Sequence, residues 1–245
     1  VTALALIVLL AFAVETMAGF GATVVTVTLA SHLMPIGEVL AALVPVNMLL
    51  SAYLVLRYRD AVEWGIVLRR GIVTMGLGVA IGMGLYRLQH HAWMKAVFAG
   101  LVVTLSVTEL VRMRHAAEGS RGALRRGPRD VALVTAGVIH GVFACGGPLL
   151  VYVLGRELDD KGRFRATLSA IWLVLNGALI ANLLYAGDLG AASLRTSAVL
   201  LGSLGLGVLV GERLHSTLPE ARFRVAVYGL LFFAGTSLLV RTLLA

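Results

Sequence analysis

The sequence predicts an all-α, polytopic membrane protein built from two related blocks, and three observations predict it: an extreme apolar composition, apolar runs of membrane-spanning length, and an internal repeat. Of the 245 residues, 59% are hydrophobic and 14% charged, with a mean hydropathy of +0.91. A soluble globule of that composition would leave much apolar surface in water. Lipid is the solvent that fits. A helix of about 20 apolar residues crosses a bilayer core of about 30 Å while its backbone groups satisfy one another.

Hydropathy places eight such segments, at roughly 3–30, 38–56, 66–86, 93–112, 131–155, 166–186, 196–213 and 223–243. The first is read as part of the fold rather than as a signal peptide, because it lacks a basic leader, runs well past an h-region of about 7 to 15 residues, and recurs in altered form. Between 114 and 130 the chain turns polar and carries Arg121, Arg125 and Arg126. The expected organisation is therefore a first membrane repeat over 1–113, a cytoplasmic linker over 114–130 and a second membrane repeat over 131–245.

The repeat rests on glycines and basic residues, since Leu and Val matches are cheap in such a chain. At an offset of 129 positions Gly76 falls on Gly205, Gly78 on Gly207, Gly82 on Gly211, Gly100 on Gly229, Lys95 on Arg224 and Arg112 on Arg241. The same offset pairs Asn47 with Asn176. Upstream, an offset of 125 sets Gly21 on Gly146 and Glu15 on His140.

The first segment of each half is unusual. A helix of about 28 residues would extend about 42 Å, beyond the hydrocarbon thickness. Each is also interrupted near its middle, by Gly19, Phe20 and Gly21 in one half and by Cys145, Gly146, Gly147 and Pro148 in the other. If both cross fully, the 21 Lys and Arg residues divide 12 against 9 between the two sides. If both are re-entrant or discontinuous hairpins, they divide 17 against 4. The second split matches the positive-inside rule better and makes the two halves inverted repeats, each one broken helix plus three transmembrane helices.

From His140 to Asn176 the chain reads HGVFACGGPLLVYVLGRELDDKGRFRATLSAIWLVLN. This string resembles the sulfite exporter TauE/SafE family: a Gly-Gly-Pro break at Gly146, Gly147 and Pro148, an apolar run, a short polar loop, then Phe164, Arg165, Ala166 and Thr167 leading to a helix with Asn176. In the first half Gly19, Phe20, Gly21 and Ala22 resemble the matching break, without its Gly-rich, Pro-containing form. The resemblance implies a secondary carrier of sulfite, sulfonates or related small anions in a bacterial-type cytoplasmic (inner) membrane. An anion channel of the same fold is the alternative.

Half-helix N-termini present free N–H groups and partial positive charge, which suits an oxyanion. The candidate substrate-binding residues are accordingly Phe20, Gly21, Ala22 and Thr23 at one break, Cys145, Gly146 and Gly147 at the other, and the amides Asn47 and Asn176, which donate to an anion without a formal charge. Glu15 and His140, just before the breaks, are candidates for proton coupling or gating, with Phe143 as an apolar gate and Arg165 as an entrance guide. For Gly76, Gly78 and Gly82 close helix packing is the expected role.

Other classes are disfavoured. One cysteine, Cys145, allows no internal disulfide or Cys-rich metal site. The formal charge of +8 comes from arginines between apolar segments, so it reads as topology and lipid contact rather than nucleic-acid binding. No phosphate-binding loop appears that would let ATP drive transport, and no catalytic constellation suggests an enzyme. No cofactor or metal is expected; the expected partners are a small anion and membrane lipid, and a homodimer stays open.

Overall fold

The computed structural model describes residues 2–18, 21–86, 92–114, 124–158, 160–217 and 220–244. These form α1 (Thr2–Ala18), α2 (Ala22–Ala30), α3 (Ile36–Arg57), a short turn of 3₁₀ helix (Arg59–Ala61), α4 (Trp64–Ile66) running through a π-helical stretch (Val67–Met75) into α5 (Gly76–Leu85), α6 (Ala92–Arg114), α7 (Arg126–Phe143), α8 (Gly147–Leu154), α9 (Lys161–Ala186), α10 (Ala191–Thr217) and α11 (Glu220–Leu244). Six stretches are long and apolar enough to cross a membrane, among the described residues: Ile36–Arg57, Trp64–Leu85, Trp93–Met113, Gly162–Ala186, Ala191–Arg213 and Val225–Leu244. The protein is all-helical and polytopic.

The side chains follow the rules of an apolar solvent. Large apolar residues such as Leu56, Leu209 and Phe233 point outward. Hydroxyls held away from water bond back to carbonyls of their own helix, as Thr28 does to Val24, Ser106 to Val102 and Thr242 to Leu238.

The helices gather into two compact units, and each draws on both halves of the sequence. Unit 1 comprises Val1–Val39, Leu88–Ser120 and Val199–Ala245; unit 2 comprises Leu40–Arg87 and Arg121–Ala198. The units thus cut across the sequence division at 113 and 131, which follows the repeat rather than the packing. Most of the linker between the halves, including Arg121, lies outside the described residues.

In unit 1, α1 packs on α2, and α11 packs on α6 and α2. Gly207 and Gly211 of α10 lie on α1: a Cβ at Gly207 would meet the Leu9 carbonyl oxygen at 2.6 Å, and one at Gly211 the Ala13 carbonyl oxygen at 2.7 Å. In unit 2, α5 and α7 approach through glycines on both sides. A Cβ at Gly78 would lie 2.1 Å from the Val134 carbonyl oxygen, at Gly82 2.3 Å from that of Val138, and at Gly137 2.1 Å from that of Met75. Between helices in lipid no hydrophobic force acts, so this backbone-to-backbone proximity supplies the van der Waals contact that holds them. Gly78 and Gly82 therefore serve packing, as expected, and so do their repeat partners Gly207 and Gly211. Gly76 meets its own chain at 3.6 Å, an ordinary contact.

The π-helical stretch belongs to unit 2 and was not foreseen. Thr74 Oγ1 donates to the Arg69 carbonyl, five residues back, at 2.9 Å. Its inner face is Val67, Gly71 and Met75, all buried, and Gly71 is pressed on Ile171 of α9. Such segments occur often at functional sites. Here it brings Met75 to the second break.

Candidate functional site

The second break is built from the end of α7. The buried face of α7 carries Arg129, Leu133, Ala136, Gly137 and His140, recurring every three or four residues at 129, 133, 136/137 and 140 as a helix requires. The helix stops because Ala144 adopts a left-handed conformation (φ 53°, ψ 23°), its N–H donating to the His140 carbonyl at 2.8 Å. Cys145 and Gly146 follow, and α8 begins at Gly147 with Pro148 in its first turn, where a missing N–H costs nothing.

Gly146 is wedged into this corner. A Cβ there would lie 2.3 Å from the Ala136 carbonyl oxygen and 2.9 Å from both His140 Cβ and Met75 Cε. Smallness at Gly146 is thus a packing requirement whatever binds nearby. Cys145, 3% exposed, is a buried free thiol beside it.

His140 is 2% exposed. Its ring stacks on Trp172 of α9, centroids 4.9 Å apart and planes 27° from parallel. The Asn176 side chain and the Ala144 backbone lie beside it, yet neither ring nitrogen closes a hydrogen bond of normal geometry. A buried polar group left so costs about 1–3 kcal/mol. Asn176 is itself 4% exposed, one turn beyond Trp172 on α9. The buried Asn47 of α3 belongs to the same unit.

The first break, in unit 1, has different chemistry. Gly21 takes φ 114°, a value open to glycine and strained for any other residue, and α2 begins at Ala22. The Ala22 N–H donates to Glu15 Oε2 at 2.9 Å. A carboxylate seven residues upstream thus occupies the positive end of α2, the place where a helix favours negative charge. Thr23 is half-buried in the first turn. Phe20, with Gly19, lies outside the described residues.

Unit 2 also holds an ionic cluster that sequence reading missed. Glu157, just past the end of α8, faces Arg70 at 3.4 Å and Arg129, near the start of α7, at 3.8 Å; Arg129 also bonds Asp130 at 2.8 Å. Close in sequence, Arg163 of α9 pairs with Glu63 at 2.8 Å, and the Glu63 N–H donates to Thr167 Oγ1. Arg165 stands exposed near the start of α9, near these pairs in the chain. Phe143 is buried at the last position of α7.

The structure therefore brings His140, Phe143, Cys145, Gly146, Gly147, Asn47 and Asn176 into unit 2, and places Glu15, Gly21, Ala22 and Thr23 in unit 1. Trp172 and Met75, both at the second break, carried no motif; helical spacing from Asn176 was the one signal that could have found Trp172. No group of three or more His, Cys, Asp or Glu able to hold a metal occurs among the described residues.

The family model described as "Sulfite exporter TauE/SafE" matches residues 4–238. The "Probable inner membrane transporter protein TsaS" of Comamonas testosteroni is 29% identical over 165 residues, 67% of this chain and 67% of its own. No solved structure matches the chain. With the family model covering nearly the whole length of a chain whose described residues include six helices long and apolar enough to cross a membrane, the conclusion is direct: this protein belongs to the sulfite exporter TauE/SafE family of membrane transporters.

Proposed function

We propose that the chain is a secondary transporter that moves small organosulfur or related anions, sulfite and sulfonates among them, across a bacterial inner membrane by alternating access. The observation that carries the reading is the second break. There a fully buried imidazole, stacked on Trp172 and beside Asn176, keeps both nitrogens unbonded next to the N-terminus of α8. An oxyanion in that corner would gain hydrogen-bond donors and the helix dipole without facing a buried formal charge. Gly147 and Asn176 are its further donors, and Asn47 is assigned the same role from the same unit. The similar transporter of Comamonas testosteroni supports the membrane and transport parts of the reading.

The ion pairs support a hairpin at this break. Arg129 stands near the start of α7 and Glu157 follows α8, so their contact fits a chain that returns to the side from which it entered. Arg70 and the Arg163–Glu63 pair join the same end. A segment crossing the bilayer fully would set Arg129 and Glu157 on opposite faces. Three spans and one hairpin per half then make inverted repeats with the basic side cytoplasmic. In unit 1 the Glu15 carboxylate is a gating and proton-carrying group, since any anion approaching α2 must displace or neutralise it.

Proteoliposome flux of sulfite, sulfonates and carboxylates tests the proposal. Saturable flux of one sulfur anion is expected, lowered at least about tenfold in His140→Ala and in Asn176→Leu, a change worth about 1.4 kcal/mol. Wild-type flux in both variants would remove the site from unit 2, and flux that never saturates would make the protein a channel.

A further inference from the structure

The segment from α7 to α8 carries a cation that no described carboxylate balances. Beyond α8, Glu157 faces Arg70 and Arg129, and Asp130 bonds Arg129. Arg156, next to Glu157 in the chain, is held differently. Its Nη2 donates to the Tyr152 hydroxyl at 3.0 Å, and its guanidinium carbon stands 4.5 Å from the centroid of the Tyr152 ring. Both residues are half-buried. Three guanidiniums, those of Arg70, Arg129 and Arg156, thus share two carboxylates, and the surplus positive charge falls on Arg156.

The direction of the side chain argues against a simple anchor. An arginine that anchors a helix end in lipid stretches toward the headgroups. In the hairpin, α8 runs from the break toward the basic side, so stretching would carry the guanidinium onward, away from the helix. It turns back instead, onto a residue four positions upstream. Tyr152 stands five residues beyond Gly147, about 7–8 Å along the axis. The charge is therefore drawn toward the break.

The pair also keeps unused donors. A guanidinium has five N–H groups in a fixed fork, and the hydroxyl that accepts from it retains its own proton to donate. Stacking on the ring holds the fork in place, so less freedom is lost when a ligand binds. A planar fork beside an O–H matches the oxygens of a sulfite- or sulfonate-type group.

We propose that Arg156 and the Tyr152 hydroxyl form a capture site for the transported oxyanion, on the limb of α8 that leads from the basic side to the break. This rests on the transport reading and on the hairpin, and it extends the corner at His140 and Asn176. Arg70 and Arg129, neutralised by Glu157 and Asp130, do not compete for the anion.

Flux of the sulfur anion is measured in vesicles of pure phosphatidylcholine and in vesicles with added phosphatidylglycerol. Arg156→Gln should raise KM at least about fivefold in both, with kcat within about twofold, because the lost charge acts on capture. Arg156→Lys keeps the charge without the fork and should recover part of the loss, and Tyr152→Phe should raise KM by about twofold. Arg59→Gln, at an exposed arginine 3.7 Å from Asp60, should change neither value. Arg156→Cys tests the charge directly, and decides the matter if the Gln variant does not insert. The aminoethyl methanethiosulfonate reagent should restore most of the affinity and the sulfonatoethyl reagent none, with the wild-type chain, whose Cys145 is buried, as the blank. An unchanged KM in Arg156→Gln, or equal rescue by both reagents, would overturn the proposal. A rise confined to phosphatidylglycerol vesicles would overturn it too, since the guanidinium would then serve a lipid phosphate. Unchanged KM here with flux lost in His140→Ala and Asn176→Leu sinks the capture site alone. A raised KM here with wild-type flux in those two variants sinks the corner and leaves the capture site standing.

Discussion

In unit 1 the residue before the break is Glu15, and its carboxylate already sits on the first N–H of α2. In unit 2 the position equivalent by repeat is His140, and its ring leaves both nitrogens unbonded beside Asn176 and Trp172. One plan has thus been given two chemistries. On the proposed function, a break filled by its own carboxylate repels a free anion, whereas the break beside His140 and Asn176 accepts one. The packing differs too, since α7 meets α5 through glycines on both helices, while α1 offers Ala13 and Thr16 to Gly211 of α10.

The packing difference predicts the largest effect. Gly137→Leu forces a side chain into the Met75 backbone, which cannot yield, and should cost about 3 kcal/mol or more. Gly207→Leu meets a looser contact and should cost about half as much. Melting temperature in detergent reads both. Equal losses would mean that the two units are packed alike, contrary to the 2.1 Å and 2.6 Å approaches.

Next comes charge. The Glu157 side chain is 13% exposed and faces two arginines, so Glu157→Gln leaves Arg70 without its carboxylate and Arg129 with Asp130 alone, in a half-buried place. A loss of about 2–3 kcal/mol is expected, at the lower end for broken buried pairs. Its counterpart in unit 1 is the Glu109–Arg112 pair, three residues apart at 3.1 Å, with the arginine 41% exposed. Glu109→Gln should cost no more than about 0.5 kcal/mol. A chemical denaturation series that ranked them the other way would break the comparison.

Much of this was legible in the sequence, and the reasons are particular. The six spans were visible because helices in lipid must be apolar over a fixed length. Gly78 and Gly82 were visible as packing positions because small residues at a spacing of four mark one helix face. The family was visible in Gly146-Gly147-Pro148 and the Phe164–Thr167 string, since a break and a helix start need unusual residues. Helix partnership was not legible: no local pattern tells α5 to meet α7, or Gly207 to meet Leu9. The π-helical stretch escaped because residues 67–75 show the composition of an ordinary helix, and the extra backbone residue is fixed by packing on Ile171. Trp172 and Glu157 escaped for the same reason: each is ordinary until the fold sets His140 or Arg129 beside it.

The breaks themselves give the third prediction. Glu15→Ala removes the acceptor of the Ala22 N–H, and should cost about 1 kcal/mol, the usual value of a lost N-cap. His140→Ala removes an imidazole whose nitrogens close no hydrogen bond of normal geometry, so its stability cost should be mainly lost stacking and a small cavity while anion flux collapses. Stability and flux measured on the same preparations separate the two. If Glu15→Ala abolished flux with stability intact, and His140→Ala left flux untouched, the roles of the units would have to be exchanged.

The smallest effect sharpens the comparison at the level of the backbone. Both breaks contain a residue with positive φ, Gly21 at 114° and Ala144 at 53°. Glycine reaches such values without cost, but a side chain at Ala144 is held there against a penalty of about 1–2 kcal/mol. Ala144→Gly removes that penalty and also loosens the unfolded chain, which takes back about 0.5–1 kcal/mol. The net gain should be no more than about 1 kcal/mol. Gly21→Ala runs the other way and should lose at least as much, because φ 114° lies well outside the left-handed region that alanine tolerates. The sign carries the argument: unit 2 holds its break by strain and close packing around Ala144 and Gly146, and unit 1 holds its break with a glycine and a carboxylate cap. If Ala144→Gly stabilised the fold and slowed anion flux, the strain at the second break would be part of how that site is kept in shape for its ligand.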